Sequence, residues 1–343
     1  MTEAPPVSDA PAPVDLEGIP ETPPAAPRVS APPALRTSTP DAPTILDVRS
    51  LTKRYGDVTA LSGLDLSVRQ GEVYGFLGRN GAGKSTTIRI LMGITERSGG
   101  TIALFGEPLG RDVVRARQRI GYVAQEQSFY GWMTPMQLAS FVASFYPSWD
   151  GEEFRRLTRR LDLETGRKIQ TFSGGMRVKT ALAIALAHRP PLLLLDEPTA
   201  GLDPVARREF LEIVRDESRS SGRTTFFSSH LVDEVELVAH RVGIVDGGRM
   251  RYEGSVRALE ERVRLVTTSI AVNVEPAIRS LEALGFRVLH NDATGEHHRL
   301  FVESDDPARF DAIPRDPMLA MTVTRLPLEE IFIAMVRRAP RAE

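Results

Sequence analysis

The chain has 343 residues, of which 41% are hydrophobic and 26% charged, and its formal net charge is −2. This length and apolar content suffice for a large hydrophobic core, and a chain of this length is expected to form about two domains. A charge so close to neutral argues against bulk attraction to nucleic acid or anionic lipid. The chain contains no cysteine, which excludes a disulfide, a thiolate zinc site and a cysteine nucleophile.

Nothing in the sequence predicts a membrane span or a secretion signal. The longest strongly apolar runs, at 181–187 and 192–195, are far shorter than the ~18 residues needed to cross a bilayer. The N-terminus has no basic start followed by an apolar stretch, so it does not resemble a signal peptide. We therefore expect a cytoplasmic protein.

Residues 1–43 differ in composition from the rest of the chain. They are rich in proline and alanine and contain few large apolar side chains. Such a segment cannot bury enough surface to offset its ordering entropy, so we expect a disordered, partly polyproline tail without a catalytic part. Docking of a module that recognises proline-rich ligands is the alternative.

The pattern changes at residue 44. The stretch TILDVRSLTKRYG alternates apolar and polar residues, which predicts an edge-type strand. Further strands lead to an apolar run near residue 78, and the stretch KSTTIRILMGI then has helical spacing. The glycine-rich sequence GRNGAGKS therefore lies between a buried strand and a helix.

This junction contains the P-loop pattern Gly-x4-Gly-Lys-Ser at residues 78–85. Backbone N–H groups must converge on phosphate oxygens there, and we expect a Cβ at Gly81 or Gly83 to obstruct the loop. Lys84 would reach the β- and γ-phosphates, and the Ser85 hydroxyl would ligate Mg²⁺. The N-terminus of the following helix adds a favourable dipole.

Several later stretches predict the rest of a mostly parallel sheet. RIGYVAQ and PLLLLDEP are short apolar runs typical of buried strands, and the segment 131–171 between them is helix-like. SGRTTFFSSH predicts another strand. RVGIVDGGRMRYEG predicts a hairpin, with Asp246 and Gly247 as its turn.

Asp196 and Glu197 follow the apolar run of PLLLLDEP directly. Ligands gather at the carboxyl ends of parallel strands, which is where this acidic pair would lie. Asp196 suits Mg²⁺, usually through water, and Glu197 could polarise an attacking water. The pair narrows the P-loop prediction towards an ATP-hydrolysing enzyme.

A third element is TFSGGMRVKTALAIALAHRP. Ser173 is a plausible helix N-cap, Gly174 and Gly175 expose the backbone, and an apolar helix would follow to about His188. The stretch would form a second anion-binding helix terminus, about two dozen residues before Asp196.

The last part of the chain, from about Val263, could follow the order β-α-β-β-α-β, which suggests a small ferredoxin-like domain. A terminal amphipathic helix would come after it. This part contains no nucleotide motif, and we expect a dimerisation or regulatory appendage.

In combination and at this spacing, the three elements resemble the ATP-binding-cassette (ABC) family over about residues 44–262. The resemblance implies an α/β fold of the P-loop NTPase class, with a RecA-like core, an antiparallel β subdomain and a helical subdomain. A small α+β C-terminal domain would follow. The implied boundaries are 1–43 for the tail, 44–262 for the cassette and 263–343 for the accessory domain.

The resemblance also implies ATP and Mg²⁺ as cofactors and sorts the site residues into three groups. The catalytic group is Glu197, His230 and Lys84. The group that would hold Mg²⁺ is Ser85, Gln125 and Asp196. The group that would bind ATP is Tyr55, Gly78, Asn80, Gly81, Gly83, Lys84, Ser85, Thr86, Gln125, Ser173, Gly174, Gly175 and Asp203.

Several of these residues have particular roles in the family. Tyr55 matches the aromatic residue that stacks on adenine, and Gln125 matches the glutamine that senses the γ-phosphate, close to a helical segment facing a membrane subunit. Residues 173–175 match the signature that caps ATP bound to the opposing subunit. Asp203 matches a loop that crosses the dimer interface, and His230 matches the switch histidine.

The resemblance therefore implies two cassettes that meet head to tail around two ATP molecules, as a homodimer or a heterodimer. The other partner would be an integral membrane permease on a separate polypeptide, with this chain peripheral on the cytoplasmic face. A single cassette with a small C-terminal domain most resembles the ATPases of two-component exporters. No nucleic acid partner is expected.

Three residues depart from the family pattern. The signature, commonly Leu-Ser-Gly-Gly-Gln, is FSGGM here, with Phe172 and Met176. Methionine cannot replace the hydrogen bonds of glutamine, so we expect a weakened ribose contact but retained hydrolysis. Arg79 stands where the family often has proline, which adds a positive charge near the phosphates.

Two other functions stay open on the sequence. A soluble ABC ATPase acting on ribosomes or DNA would carry a second P-loop, a long coiled coil or zinc modules, and this sequence has none of them. A binding-only regulatory cassette would explain Met176, but the intact Glu197 and His230 argue against it.

Overall fold

The computed structural model of the chain describes residues 42–110, 113–269, 273–294, 297–313 and 321–337. Apart from its last two residues, the predicted tail lies outside them. The strands in this part of the chain are β1 (Thr44–Tyr55), β2 (Val58–Arg69), β3 (Val73–Gly78), β4 (Gly99–Leu104), β5 (Glu107–Pro108), β6 (Ile120–Val123), β7 (Leu192–Asp196), β8 (Thr224–Ser229), β9 (Arg241–Asp246), β10 (Arg249–Ser255), β11 (Val263–Ser269), β12 (Arg287–Thr294), β13 (His297–Glu303) and β14 (Thr322–Arg325).

Helices connect most of these strands, and two short 3₁₀ segments occur at Ile169–Thr171 and Pro307–Ala312. The α-helices are α1 (Lys84–Leu91), α2 (Val113–Arg117), α3 (Pro135–Ala143), α4 (Gly151–Arg160), α5 (Gly174–Ala187), α6 (Pro204–Ser221), α7 (Val232–Val238), α8 (Val256–Arg262), α9 (Val274–Ala283) and α10 (Leu328–Val336). Within the described ranges, none of them has the length and hydropathy that a membrane span requires.

The central sheet has the strand order β10-β9-β3-β8-β7-β6, and its strands are parallel except for β10, which pairs antiparallel with β9. Both faces of this sheet are buried. Leu193 and Leu195 of β7 pack among helices, whereas Leu192 and Leu194 join the core on the opposite face. Burial on both faces explains the unbroken apolar run that the sequence shows, and the predicted buried strands are confirmed.

The antiparallel sheet, of order β2-β1-β4-β5, covers one face of the central sheet. Leu46 of β1 and Leu66 of β2 share a core with Ile88 of α1 and with Phe76 of β3. The helices α5, α6 and α7 contribute to the core on the other face, and α4 packs against α5. The central sheet therefore lies between an antiparallel layer and a helical layer.

A third sheet, of order β12-β13-β11-β14, is wholly antiparallel and contains the strands of the last 80 or so residues. It has a core of its own, which includes Val266, Leu281 and Phe310. The 3₁₀ segment Pro307–Ala312 stands where the sequence suggested a second helix. Helix α10 packs against β12 of this sheet and against α7 and α8, and its Leu328 belongs to the core on the helical face of the central sheet.

The hairpin between β9 and β10 differs from the prediction by one residue. Asp246 pairs with Arg249, so the turn consists of Gly247 and Gly248 rather than Asp246 and Gly247. Both glycines have positive φ, 57° and 73°, as a tight two-residue hairpin turn requires. A Cβ at Gly248 would also lie 2.6 Å from the carbonyl oxygen of Ala60, which excludes any larger residue there.

His188, directly after α5, makes the stability of this fold depend on pH. It is buried, its Nε2 lies 3.2 Å from the carbonyl oxygen of Ile120, and its ring centroid lies 4.1 Å from that of Tyr146. Burial lowers the pKa of His188 from 6.5 to about 4. The unfolded chain therefore binds a proton below about pH 6.5 that the native state takes up only near pH 4, so stability is lost as pH falls through that window.

We predict that His188→Gln flattens this pH dependence. Between about pH 7 and pH 5, the wild-type free energy of unfolding should fall by about 1–2 kcal/mol more than that of the variant, as urea titrations at the two pH values would show. His297→Gln, at an exposed histidine, is the control and should behave like the wild type. Equal losses in wild type and His188→Gln would contradict the assignment.

Candidate active site

The loop between β3 and α1 holds a buried lysine at its centre. Lys84 Nζ donates to the carbonyl oxygens of Gly78, at 2.7 Å, and Arg79, at 3.2 Å. The same atom lies 2.9 Å from Glu197 Oε1, and both side chains are almost fully buried. The loop therefore surrounds a cation that already has a carboxylate partner from another strand.

The two glycines singled out in this loop are required for different reasons. Gly83 precedes α1 with φ 106°, and a Cβ there would lie 2.6 Å from Leu61 Cδ2. Gly81 has φ 80°, but nothing lies within 4 Å of its Cβ position. At Gly83, a Cβ would therefore collide with a side chain of the protein itself. At Gly81, no atom would obstruct a Cβ, and it is the left-handed backbone conformation that favours glycine.

The carboxylate at the end of β7 accepts hydrogen bonds from two hydroxyl groups. Ser85 Oγ donates to Asp196 Oδ1 at 2.9 Å, and Ser228 Oγ donates to the same oxygen at 3.0 Å. Burial raises the pKa of Asp196 above its ordinary value, and the two hydroxyl donors oppose that rise. A carboxylate and a hydroxyl oxygen next to a phosphate loop are the kind of ligands that Mg²⁺ takes, so this donor set fits that ion.

Glu197 occupies a backbone conformation that is uncommon for residues other than glycine, with φ 41°. Its N–H donates to Ser228 Oγ at 3.0 Å. One carboxylate oxygen contacts Lys84, and the other lies 3.0 Å from Nδ1 of His230. The side chain is thus fixed between a cation and an imidazole, which is the arrangement expected where a strained residue does chemistry.

These groups line a single cleft of ≈ 420 Å³. Most of the predicted site residues meet there, and Ala60 and Ala200 join them. The predicted residues that line the cleft are Asn80, Gly81, Gly83, Lys84, Ser85, Thr86, Gln125, Glu197 and His230. Asp196 reaches the same place through its hydrogen bond with Ser85, and Gly78 through the bond from Lys84 to its carbonyl oxygen.

The other predicted residues lie away from this cleft in the single chain. Tyr55 is 47% exposed at the end of β1, with Lys53 Nζ 4.6 Å from the centre of its ring. Ser173 begins α5 as predicted, and its Oγ accepts the N–H of Met176 at 3.2 Å, with Gly174 and Gly175 following. Asp203 is the N-cap of α6 and accepts two backbone N–H groups at 3.0 Å.

A buried network that the sequence did not reveal supports the cleft from behind. Glu234 of α7 is almost wholly buried and accepts the hydroxyl groups of Thr199 and Ser229, each at 2.5 Å. Thr199 lies two residues after Glu197, and Ser229 directly precedes His230. Glu234 therefore links the two loops that carry the candidate catalytic side chains, although in the sequence it is one of three acids in VDEVE without a distinguishing signal.

Known proteins share both the sequence and the architecture described above. Residues 61–200 match the family model described as ABC transporter. The linearmycin resistance ATP-binding protein LnrL of Bacillus subtilis is 34% identical over 314 residues, which cover 87% of this chain and all of that protein. The chain belongs to the ABC transporter family. The similarity of this ABC protein to LnrL extends over that relative's full length.

Other relatives and solved structures agree. The Nod factor export ATP-binding protein I of Burkholderia orbicola is 34% identical over 309 residues, 85% of this ABC protein and 97% of the relative. The bacitracin transport ATP-binding protein BcrA of Bacillus licheniformis is 35% identical over 223 residues, 64% and 73% of the two chains. A solved ATP-binding subunit of an ABC transporter superposes with a TM-score of 0.58 at 29% identity, covering 63% of this chain and 92% of its own.

Membership of this family confirms the predicted cassette fold, ATP binding and ATP hydrolysis. The ABC protein is an ATPase and the ATP-binding subunit of a transporter. The transporter interpretation is therefore confirmed against the two alternatives that the sequence left open.

We predict that Glu234→Ala lowers kcat for ATP by about tenfold or more and leaves KM within about twofold, because the loops of Glu197 and His230 lose their shared anchor. Glu234→Gln keeps an oxygen acceptor and should recover most of the rate. Asp233→Ala, at an exposed acid on the same helix, is the control. Steady-state ATPase assays measure all three, and a rise in KM that matches the fall in kcat would rule out a positioning role.

Proposed function

We propose that this chain is the ATPase subunit of a two-component exporter, and that Glu197 is the base that activates water. The observation that carries this assignment is the Glu197 carboxylate, held 2.9 Å from Lys84 Nζ and 3.0 Å from His230 Nδ1 at the rim of the cleft. A carboxylate fixed at both oxygens beside a phosphate loop supports a role in orienting and deprotonating a nucleophile.

The residues would act in sequence as ATP enters. The Lys84 ammonium would turn from Glu197 to the β- and γ-phosphate oxygens, which places its charge where negative charge develops. Glu197 is then free to accept a proton from the attacking water, while His230 keeps the second carboxylate oxygen in place. Ser228, which accepts the N–H of Glu197, would keep the backbone from moving during this exchange.

Ser85, Asp196 and Gln125 are the residues that would hold Mg²⁺. No group of three acidic or histidine side chains that could hold a metal occurs among the residues that the structure describes. The ion would therefore enter with the nucleotide, whose phosphate oxygens complete its ligands. Bound there, it would neutralise phosphate charge during phosphoryl transfer.

The signature residues give the reason to propose a dimer. Ser173, Gly174 and Gly175 form the N-terminus of a 14-residue helix, an anion-binding position, yet they lie outside the cleft of their own chain. Two chains arranged head to tail would place this terminus over the ATP of the partner, with the loop at Asp203 between them. The partner would be a second copy of this chain or a related cassette.

An exposed aromatic patch supports the proposed permease partner. We call aromatic patch the residues Tyr130, Trp132, Met136, Phe141 and Phe145, each more than 40% exposed. Adjacent rings contact one another, with Phe141 and Phe145 centroids 5.4 Å apart. The patch begins five residues after Gln125, so a permease segment seated on it would be connected directly to the nucleotide cleft. Apolar surface of this kind marks a protein or membrane contact.

Export is the direction that the relatives favour. One relative carries the name of Nod factor export and another of linearmycin resistance, and we infer the same direction for this chain. The cargo would be selected by the permease. The third sheet with α10 would be a regulatory or dimerisation appendage to the cassette, in the proposed division at residues 262 and 263.

Glu197→Gln should lower ATP turnover by at least about 100-fold while ATP still binds, because the amide cannot take up the proton. We predict that it accumulates as an ATP-bound dimer, which light scattering with saturating ATP would detect. Lys84→Ala should lose both turnover and dimer. A Glu197→Gln chain that stays monomeric with ATP would contradict the autonomous dimer, and turnover retained by Lys84→Ala would contradict the site.

The double variant Trp132→Ser and Phe145→Ser should lose the permease but keep its ATPase rate within about twofold, because the patch lies outside the cleft. The test is to purify tagged chains from the native host in mild detergent with ATP and to identify membrane proteins by mass spectrometry. Leu284→Ser, at an exposed leucine after α9, is the control. Equal recovery of a polytopic membrane protein with all chains would exclude the aromatic patch as the docking surface.

A further inference from the structure

We propose that a second cleft, between the phosphate loop and the third sheet, binds a phosphate-bearing anion and slows ATP turnover when it is occupied. We call it the arginine cleft. It has a volume of ≈ 840 Å³ and is lined by Arg79, Asp246, Gly247, Arg249, Arg251, His290, Val336 and Arg337. Binding at this cleft is independent of the proposed function, whereas its effect on turnover rests on the proposed roles of Lys84 and Glu197.

Charge is the first reason for an anionic ligand. Four arginines line the arginine cleft against one carboxylate, Asp246, and that carboxylate already pairs with Arg251 at 3.0 Å. Arg249 donates to the Ser62 hydroxyl at 3.1 Å but forms no ion pair within the described ranges, and the same is true of the Arg79 guanidinium. Arg337 lies 3.8 Å from Asp292 Oδ2, so Arg79 and Arg249 are the two guanidinium groups of the cleft without a carboxylate partner among the described residues. Guanidinium groups left without carboxylates form a site for phosphate or carboxylate oxygens.

His290 is the second reason. Its side chain is only 12% exposed, and neither ring nitrogen has a hydrogen-bond partner among the described residues. The nearest acid, Asp292, has its Oδ2 4.0 Å from Nε2, which is too far for a hydrogen bond. Buried ring nitrogens without partners are costly, and an anion in the arginine cleft would accept an N–H from this ring.

The position of Arg79 connects the arginine cleft with the nucleotide cleft. Its carbonyl oxygen accepts a hydrogen bond from Lys84 Nζ at 3.2 Å, whereas its side chain lines the arginine cleft. The hairpin that carries Arg249 is also tied to the phosphate loop, because the N–H of Gly248 donates to the carbonyl oxygen of Ala82 at 3.1 Å. An anion that draws Arg79 towards Arg249 would therefore displace a carbonyl group that positions Lys84.

The chemistry of the ligand follows from its lining. Arginine forks match the paired oxygens of phosphate groups, and a cleft of this size admits a diphosphate or the headgroup of a phospholipid. The shared feature of these two sources is a phosphate group with several free oxygens. Arg337 at the end of α10 and His290 on β12 would bring the third sheet to that group, so occupancy would be felt by both parts of the chain.

Pyrophosphate is the soluble probe, and the full-length chain is first saturated with Mg²⁺ and a non-hydrolysable ATP analogue so that the nucleotide cleft is filled. We expect titration calorimetry to show saturable binding of one pyrophosphate per chain. Arg249→Gln and Arg337→Gln should each weaken it by about tenfold, and the matching lysine variants by less, because lysine keeps the charge but not the fork. Arg257→Gln, at an arginine with an 87% exposed side chain, is the control for charge loss.

A second measurement tests control of turnover. Competition between pyrophosphate and ATP for the nucleotide cleft would raise KM only. With the wild-type chain, we expect pyrophosphate in addition to lower kcat by at least about twofold. That fall in kcat should disappear in Arg79→Gln and Arg249→Gln. Sedimentation with phosphatidylcholine vesicles that contain phosphatidic acid distinguishes the two sources of phosphate. If the chain binds these vesicles more strongly than it binds pyrophosphate, and this binding depends on Arg249 and Arg337, the ligand is a lipid headgroup.

Three results would overturn the proposal. If Arg249→Gln and Arg337→Gln leave the affinity for pyrophosphate unchanged, the arginine cleft is not the binding site. If pyrophosphate binds without changing kcat, the cleft does not regulate ATP turnover. Loss of the ATP-dependent dimer in these variants, with pyrophosphate affinity intact, would assign the arginines to contact with a second copy instead. Failure of the proposed catalytic site is recognised separately, because Lys84→Ala would then keep its turnover while anion binding is unaffected.

Discussion

The structure depends on a pair of adjacent carboxylates held at the edge of a buried sheet. Asp196 ends β7 and Glu197 follows it, and the groups that stabilise them come from β8 next to β7 and from the start of α1 after β3. In the register of the sheet, Asp196 lies opposite Ser228. Since parallel neighbours end at the same edge, the hydroxyl group, the lysine loop and the histidine arrive together without long connections.

Burying two acids costs free energy unless their carboxylates are hydrogen-bonded or paired with a cation. Asp196 receives two hydroxyl groups, and Glu197 receives an ammonium and an imidazole. The remaining support comes from Glu234, itself a buried acid that two hydroxyl groups satisfy. The candidate catalytic edge is therefore a connected network of carboxylates and their hydrogen-bond or ion-pair partners, so removing one member should weaken the others.

The sequence predicted the parts of this site that depend on neighbours along the chain. The loop at 78–85, the acidic pair after β7 and the helix cap at Ser173 follow from short patterns because backbone geometry alone dictates them. Hydrogen bonds between distant elements have no such pattern, so Glu234 and the role of Ser228 were missed. The hairpin turn was misplaced by one residue because Asp-Gly and Gly-Gly are both good turn pairs, and the close approach of Gly248 to Ala60 comes from a distant strand that the local pattern does not reveal.

The third sheet and α10 approach the elements around the nucleotide cleft along two routes. One route is apolar: α10 packs against α7, and α7 begins two residues after His230. The other is polar, because Arg337 ends α10 in the same cleft that Arg79 lines from the phosphate loop. Helix α10 thus packs against the helix that follows His230 and ends at a cleft that the phosphate loop also lines. A ligand that holds Arg337 and Arg79 together would therefore act on the carboxylate pair of Asp196 and Glu197 from two sides. This interaction would also give the exposed Arg79 side chain a role that the nucleotide cleft alone does not explain.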